Sequence, residues 1–115
     1  MQCPKCQTDS FTTAMVREIS VDRCTICNGL WFDARELPAL LNEDYRLLTP
    51  LRGEPGSEEQ NQKRGKCPRD ATPLLRMHSA INQAVIVDTC LQCQGIWLDG
   101  GEFDELLKQV RGGER

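Results

Sequence analysis

One stretch of 18 residues occurs twice, and it leaves a chain of this kind few folds to adopt. Residues 24–41 read Cys-Thr-Ile-Cys-Asn-Gly-Leu-Trp-Phe-Asp-Ala-Arg-Glu-Leu-Pro-Ala-Leu-Leu. Residues 90–107 read Cys-Leu-Gln-Cys-Gln-Gly-Ile-Trp-Leu-Asp-Gly-Gly-Glu-Phe-Asp-Glu-Leu-Leu. Eight of the 18 positions are identical, including both cysteines, the glycine, the tryptophan, the aspartate and the glutamate. Rare residue types matching at fixed spacing mark an internal repeat. A Cys-Pro element precedes each copy: Cys3-Pro4-Lys5-Cys6 in the first, Cys67-Pro68-Arg69-Asp70 in the second.

The repeat divides 115 residues into two units of about 45 residues. Units that small bury too little apolar surface to fold unaided, and need disulfides, metal or association. There are seven cysteines, an odd number, and six of them lie in Cys-x-x-Cys pairs. A secreted disulfide scaffold calls for an even count behind a signal peptide. Residues 1–20 hold no apolar run of that kind, and no stretch approaches a membrane span. The expectation is a reduced, cytoplasmic, metal-binding protein that stays off the membrane.

Two residues between cysteines let a tight turn aim both sulfurs at one point, and two such turns complete a tetrahedron. Cys3, Cys6, Cys24 and Cys27 are the candidate ligands of a first Zn²⁺. Four thiolates leave no open position, so this site is structural rather than catalytic. The alternatives are a redox dithiol, unliganded core cysteines, or iron in the same S₄ shell. The second Zn²⁺ site has Cys67, Cys90 and Cys93, with Asp70 where the repeat places Cys6. The other candidates for the fourth ligand are His78 and water or an external ligand, and a second group that holds no metal at all is the remaining reading. His78 falls at a hairpin tip, on the order of 25 Å from the knuckles along an extended arm. A Cys₃ site can in principle activate water. No general base other than Asp70 lies near it in sequence, which favours a structural copy.

The rest of the chain supplies scaffold. Strands are expected over 16–21, with 11–14 as a hairpin partner, and over 73–77 and 83–88 with the turn at 78–82. Asp33 with Glu36, and Asp99 with Glu102, form acidic capping pairs. They open helices whose apolar faces are Leu37/Leu40/Leu41 and Phe103/Leu106/Leu107/Val110, the second ending at Gly112-Gly113. Pro38 conflicts with a helix beginning at Asp33, because it would clash with the preceding turn. Gly29 and Gly95 supply turns leading to Trp31 and Trp97, which serve as lids over the hairpins. Residues 49–66 are rich in Pro, Gly and polar side chains and are expected to be a flexible linker. The division is thus 1–48 and 67–115, each a zinc ribbon (a β-hairpin with knuckles) closed by a short helix, on either side of that linker. The fold class is a small, metal-stabilised α+β protein with two tandem ribbons.

The net charge is −3, and thiolate-bound zinc makes it more negative. The one basic cluster is Lys63-Arg64-Gly65-Lys66. Nucleic-acid binding normally needs a basic face, so this balance disfavours it.

The pattern Cys-Pro-x-Cys followed by Cys-x-x-Cys-x-Gly-x-Trp-x-Asp-x-x-Glu-[Leu/Phe] resembles the prokaryotic zinc-ribbon family named after transcription factor IIB. It runs from Cys3 to Cys6 and Cys24 to Leu37, and again from Cys67 to Asp70 and Cys90 to Phe103. The resemblance implies an antiparallel ribbon, a structural zinc and a C-terminal helix in each copy. Asp70 departs from the family's Cys₄ pattern. The leading functional reading is a non-enzymatic zinc-binding module that engages a protein partner or a second copy of itself. A nucleic-acid-binding ribbon with a role in transcription is the alternative, and a redox or catalytic protein using Cys67, Cys90 and Cys93 is the third class.

Overall fold

The computed structural model describes residues 1–79 and 83–112, with side chains to Lys108. Each repeat contributes three strands. In the first they are β1 (Phe11–Val16), β2 (Ile19–Cys24) and β3 (Leu30–Phe32); in the second, β4 (Leu75–His78), β5 (Ile86–Thr89) and β6 (Ile96–Leu98). The third strand of each unit was not expected from the sequence. Leu30-Trp31-Phe32 and Ile96-Trp97-Leu98 are three-residue apolar runs, too short to carry a period. They decide the architecture. β3 pairs antiparallel with β6, setting Trp31 opposite Trp97. The two ribbons thereby join into one six-stranded antiparallel sheet, ordered β1-β2-β3-β6-β5-β4.

The first hairpin turns at Arg17 and Glu18, inside the stretch expected to be one strand. Arg17 takes a left-handed conformation (φ 54°) that usually calls for Gly or Asn, so composition gave no sign of it. Of the second turn, residues 80–82 lie outside the described residues.

Strand alternation gives the sheet two working faces. One carries Ala14, Val16, Val21, Leu30, Phe32, Val87 and Leu98 under the helices. Here α1 (Glu36–Leu41) and α3 (Glu102–Gly112) bury Leu37, Leu40, Leu41, Phe103, Leu106 and Leu107 in one shared core. Phe32 and Phe103 stack across the seam with ring centroids 6.0 Å apart. The leucine stripes therefore pack within the chain; Val110 and the stop at Gly113 lie outside the described side chains and residues. On the opposite face Trp31, Trp97 and Leu74 pack with the cysteines.

The capping pairs work by halves. Glu36 Oε1 accepts the Asp33 N–H at 2.8 Å, and Glu102 Oε1 accepts the Asp99 N–H at 2.7 Å. The aspartates do not cap. The Asp33 and Asp99 carboxylates take the indole N–H of Trp31 (3.0 Å) and Trp97 (2.9 Å) instead. Helix α1 begins only at Glu36, which puts Pro38 in the first turn, where a missing N–H is harmless.

Residues 49–66 differ from the expected flexible linker. A 3₁₀ helix (Tyr45–Leu51) buries Leu48 and Leu51 against the edge of β1, and α2 (Glu58–Asn61) follows. The stretch between them docks as backbone on Gly100 and Gly101. A Cβ on Gly100 would stand 2.6 Å from the Cys27 carbonyl and 2.9 Å from that of Glu54. The first repeat has Ala34-Arg35 at the matching positions, so the strap has room on one repeat only. The polar composition that suggested a linker is satisfied by backbone contacts that composition does not reveal.

Candidate metal centres

Four turns of one design hold the candidate ligands. In each, the residue after the last Cys or Asp adopts a left-handed conformation: Gln7, Asn28, Ala71 and Gln94, at φ 57–64°. Its N–H bonds back to the carbonyl of Cys3, Cys24, Cys67 or Cys90 at 2.8–3.0 Å. A second backbone N–H points at the first sulfur of each turn, from Cys6 (3.3 Å), Ile26 (3.4 Å), Arg69 (3.3 Å) and Cys93 (3.5 Å). Asp70 stands on the same backbone as Cys6.

Two groups result: Cys3, Cys6, Cys24 and Cys27 (centre 1), and Cys67, Asp70, Cys90 and Cys93 (centre 2). Within each, the donor atoms lie within 4.8 Å of one another. The Sγ–Sγ separations are 3.8 Å for Cys3–Cys27, 3.8 Å for Cys6–Cys24 and 3.7 Å for Cys67–Cys93. A tetrahedron of Zn–S bonds of about 2.3 Å requires about 3.8 Å between sulfurs. Both Asp70 oxygens are 3.6 Å from the Cys90 sulfur, and mixed Zn–S and Zn–O bonds require about 3.6 Å. Both groups therefore have the donors and the spacing for zinc. His78 is remote from them. It ends β4, with Nδ1 2.8 Å from the Gln83 carbonyl oxygen.

The thiols within each group ionise unequally, and in the second group Cys90 is lowered because, against burial, backbone N–H groups donate to its sulfur. Burial and the neighbouring sulfurs push Cys6 up to about 11, and the hydrogen bond with Cys3, followed by burial, raises Cys27. Burial pushes Cys67 up to about 12. Burial opposes ionisation of Cys24 as well, but the Ser10 hydroxyl and backbone N–H donors bring it down to about 7. One thiolate forms readily and its neighbours resist, the pattern that a divalent cation relieves.

Residues 2–43 and 66–109 match the family described as "Transcription factor zinc-finger", the TFIIB-type zinc ribbon. The chain belongs to this zinc-ribbon family. The two matches cover about three quarters of it, one copy per repeat. No curated protein and no solved structure matches the chain. Among the described residues no helix is long and apolar enough to cross a membrane.

Around the two ribbons runs a crossed network that sequence reasoning missed. Lys5, inside the first Cys-Pro turn, reaches the second repeat. Its Nζ is 3.2 Å from Asp88 and 3.5 Å from Asp99, and it also donates to the Asn61 carbonyl. Arg69, inside the second Cys-Pro turn, reaches the first repeat, 2.8 Å from Asp33 and 3.3 Å from Asp22. Each turn thus clamps the other repeat's Trp-x-Asp aspartate. The two clamps differ in depth. Lys5 is sealed (0 % side-chain exposure), whereas Arg69 is half-open (46 %). Burial raises the pKa of both Asp88 and Asp99, outweighing the attraction of Lys5. The tryptophans cross in the same way. A Cβ on Gly29 would lie 2.1 Å from the Trp97 ring, and one on Gly95 2.2 Å from the Trp31 ring. The sequence did carry a signal: a basic residue third in both Cys-Pro turns, and aspartates 66 positions apart at 22/88 and 33/99.

Proposed function

We propose that this chain is a non-enzymatic, two-zinc interaction module that engages an extended segment of a protein partner or of a second copy. Cys3, Cys6, Cys24 and Cys27 hold one ion, and Cys67, Asp70, Cys90 and Cys93 the other. The zinc maintains the scaffold, and the docking surface lies elsewhere, on β4.

The carrying observation is an asymmetry between the repeats. Ala14 of β1 and Met77 of β4 occupy matching register positions, opposite Val21 and Val87. Ala14 is covered by the 3₁₀ helix and 8 % exposed; Met77 is 44 % exposed, beside Leu75 at 48 %. β4 is also an edge strand, so its free backbone groups can pair with an incoming strand. Apolar side chains on an open edge suit strand addition. The acidic net charge argues against a phosphate backbone as partner.

Metal analysis should give two zinc per chain. Sedimentation at rising concentration tests self-association, and affinity capture from the host tests a foreign partner. A Leu75→Asp/Met77→Asp variant should keep both zinc ions and lose the interaction. Salt-dependent binding to DNA or RNA, with the β4 variant indistinguishable from wild type, would instead support the nucleic-acid reading.

A further inference from the structure

The two centres are not equally protected. Centre 1 lies beneath the strap, where the Gln60 side chain donates to Cys6 Sγ at 3.2 Å. Its four donors are buried or half-buried cysteines. At centre 2 the corresponding donor is the carboxylate of Asp70, which is exposed. A cleft of about 650 Å³ between the two Cys-Pro turns reaches Cys67 and Asp70 of centre 2 and Cys3 of centre 1, with Arg64 and Lys66 on its wall, and a smaller one of about 280 Å³ reaches Cys6 and Cys27; of the donors these clefts reach, Asp70 alone is exposed.

We propose, building on the two-zinc reading above, that Asp70 is a displaceable donor and that centre 2 accepts an exogenous anionic thiol through this cleft. Zinc takes thiolate, imidazole and carboxylate donors, and three thiolates are already in place. A fourth sulfur restores the shell that centre 1 has from its own chain. The exchange is balanced without a redox partner. With zinc held by Cys67, Asp70, Cys90 and Cys93, an incoming thiol would give its S–H proton to solvent and its sulfur would take the place of the Asp70 carboxylate. The released carboxylate keeps a hydrogen bond, because Asp70 Oδ1 accepts the Thr72 N–H at 2.9 Å. Arg64 and Lys66 are exposed on the cleft wall and make no ion pair among the described residues, whereas Arg69 is taken up by Asp22 and Asp33. Two unengaged cations beside the open donor select a thiol that also carries a carboxylate.

The test uses the full chain loaded with two equivalents of cadmium-113, whose NMR shift separates four-sulfur from three-sulfur coordination. Two resonances are expected. Titration with N-acetylcysteine should move one of them, saturably, toward the other. Neutral 2-mercaptoethanol should need about fivefold more, an advantage of the size that exposed charges give, and Arg64→Glu/Lys66→Glu should erase it. Asp70→Cys should show two four-sulfur resonances and no response to thiol. A cysteine peptide with acidic neighbours that outcompetes N-acetylcysteine assigns the ligand to a partner's side chain; the reverse order assigns it to a small free thiol. Two resonances that both ignore thiol, or that both move, overturn the exchange proposal while leaving two metal centres standing. Fewer than two resonances overturn the two-metal reading itself.

Discussion

The crossed clamps make a controlled experiment, because one interaction occurs buried in one repeat and exposed in the other. Lys5→Met removes the cation between Asp88 and Asp99, whose side chains are 1 % and 2 % exposed. Arg76 stays 3.7 Å from Asp88, so the uncompensated charge falls on Asp99, and breaking a buried pair on one side costs about 3–5 kcal/mol. Arg69→Met removes the equivalent cation from Asp22 and Asp33, 22 % and 44 % exposed. Screened pairs of that kind are worth about 0–1 kcal/mol. For a chain of this length about 1 kcal/mol shifts Tm by roughly 4 °C, so the losses should be about 12–20 °C and at most about 4 °C. Thermal unfolding followed by circular dichroism measures both. Free zinc must be buffered at one value, since an ion that binds only the folded chain raises Tm by mass action. The pH dependence adds a second check. Burial already raises Asp88 and Asp99, and losing Lys5 raises them further. A carboxyl raised in the folded state contributes stability at low pH that is lost as pH climbs through its folded pKa. The Lys5→Met deficit should therefore be larger at pH 8 than at pH 6. Equal losses in the two variants, or a deficit that shrinks with rising pH, would refute the reasoning.

Two further outcomes follow from the same contacts. Gly29→Ala forces a Cβ into the sealed Trp97 ring and should cost about 1–3 kcal/mol. Made in a Trp31→Phe background, it should still change the fluorescence, which then reports Trp97 alone; an unchanged spectrum would contradict the crossed packing. Burial, with the nearby Asp99 charge, pushes Glu102 up to about 8. Its stabilising contribution is thus lost as pH rises toward 8, and Glu102→Gln, which keeps an acceptor for the Asp99 N–H, should flatten denaturant stability between pH 6 and 8. A steeper profile would count against that assignment.

What could be read from the sequence was whatever local chemistry dictates. Cys-x-x-Cys spacing fixes a turn within a few residues, so both donor groups, Asp70 in place of a cysteine, and the remoteness of His78 were visible without coordinates. So were the helical stripes and the conflict between Pro38 and a regular helix beginning at Asp33, because Pro38 acts on its own neighbourhood. Tertiary structure decided everything that depends on one repeat meeting the other. Three-residue strands carry no period, so the β3–β6 seam could not be foreseen. Asp33 and Asp99 read as caps until Arg69 and Lys5 arrived from across that seam. The strap looked like a linker because its fit depends on two glycines some 45 residues away, and the segment that follows it brings the Asn61 carbonyl onto the sealed Lys5, whereas Arg69 stays half-open.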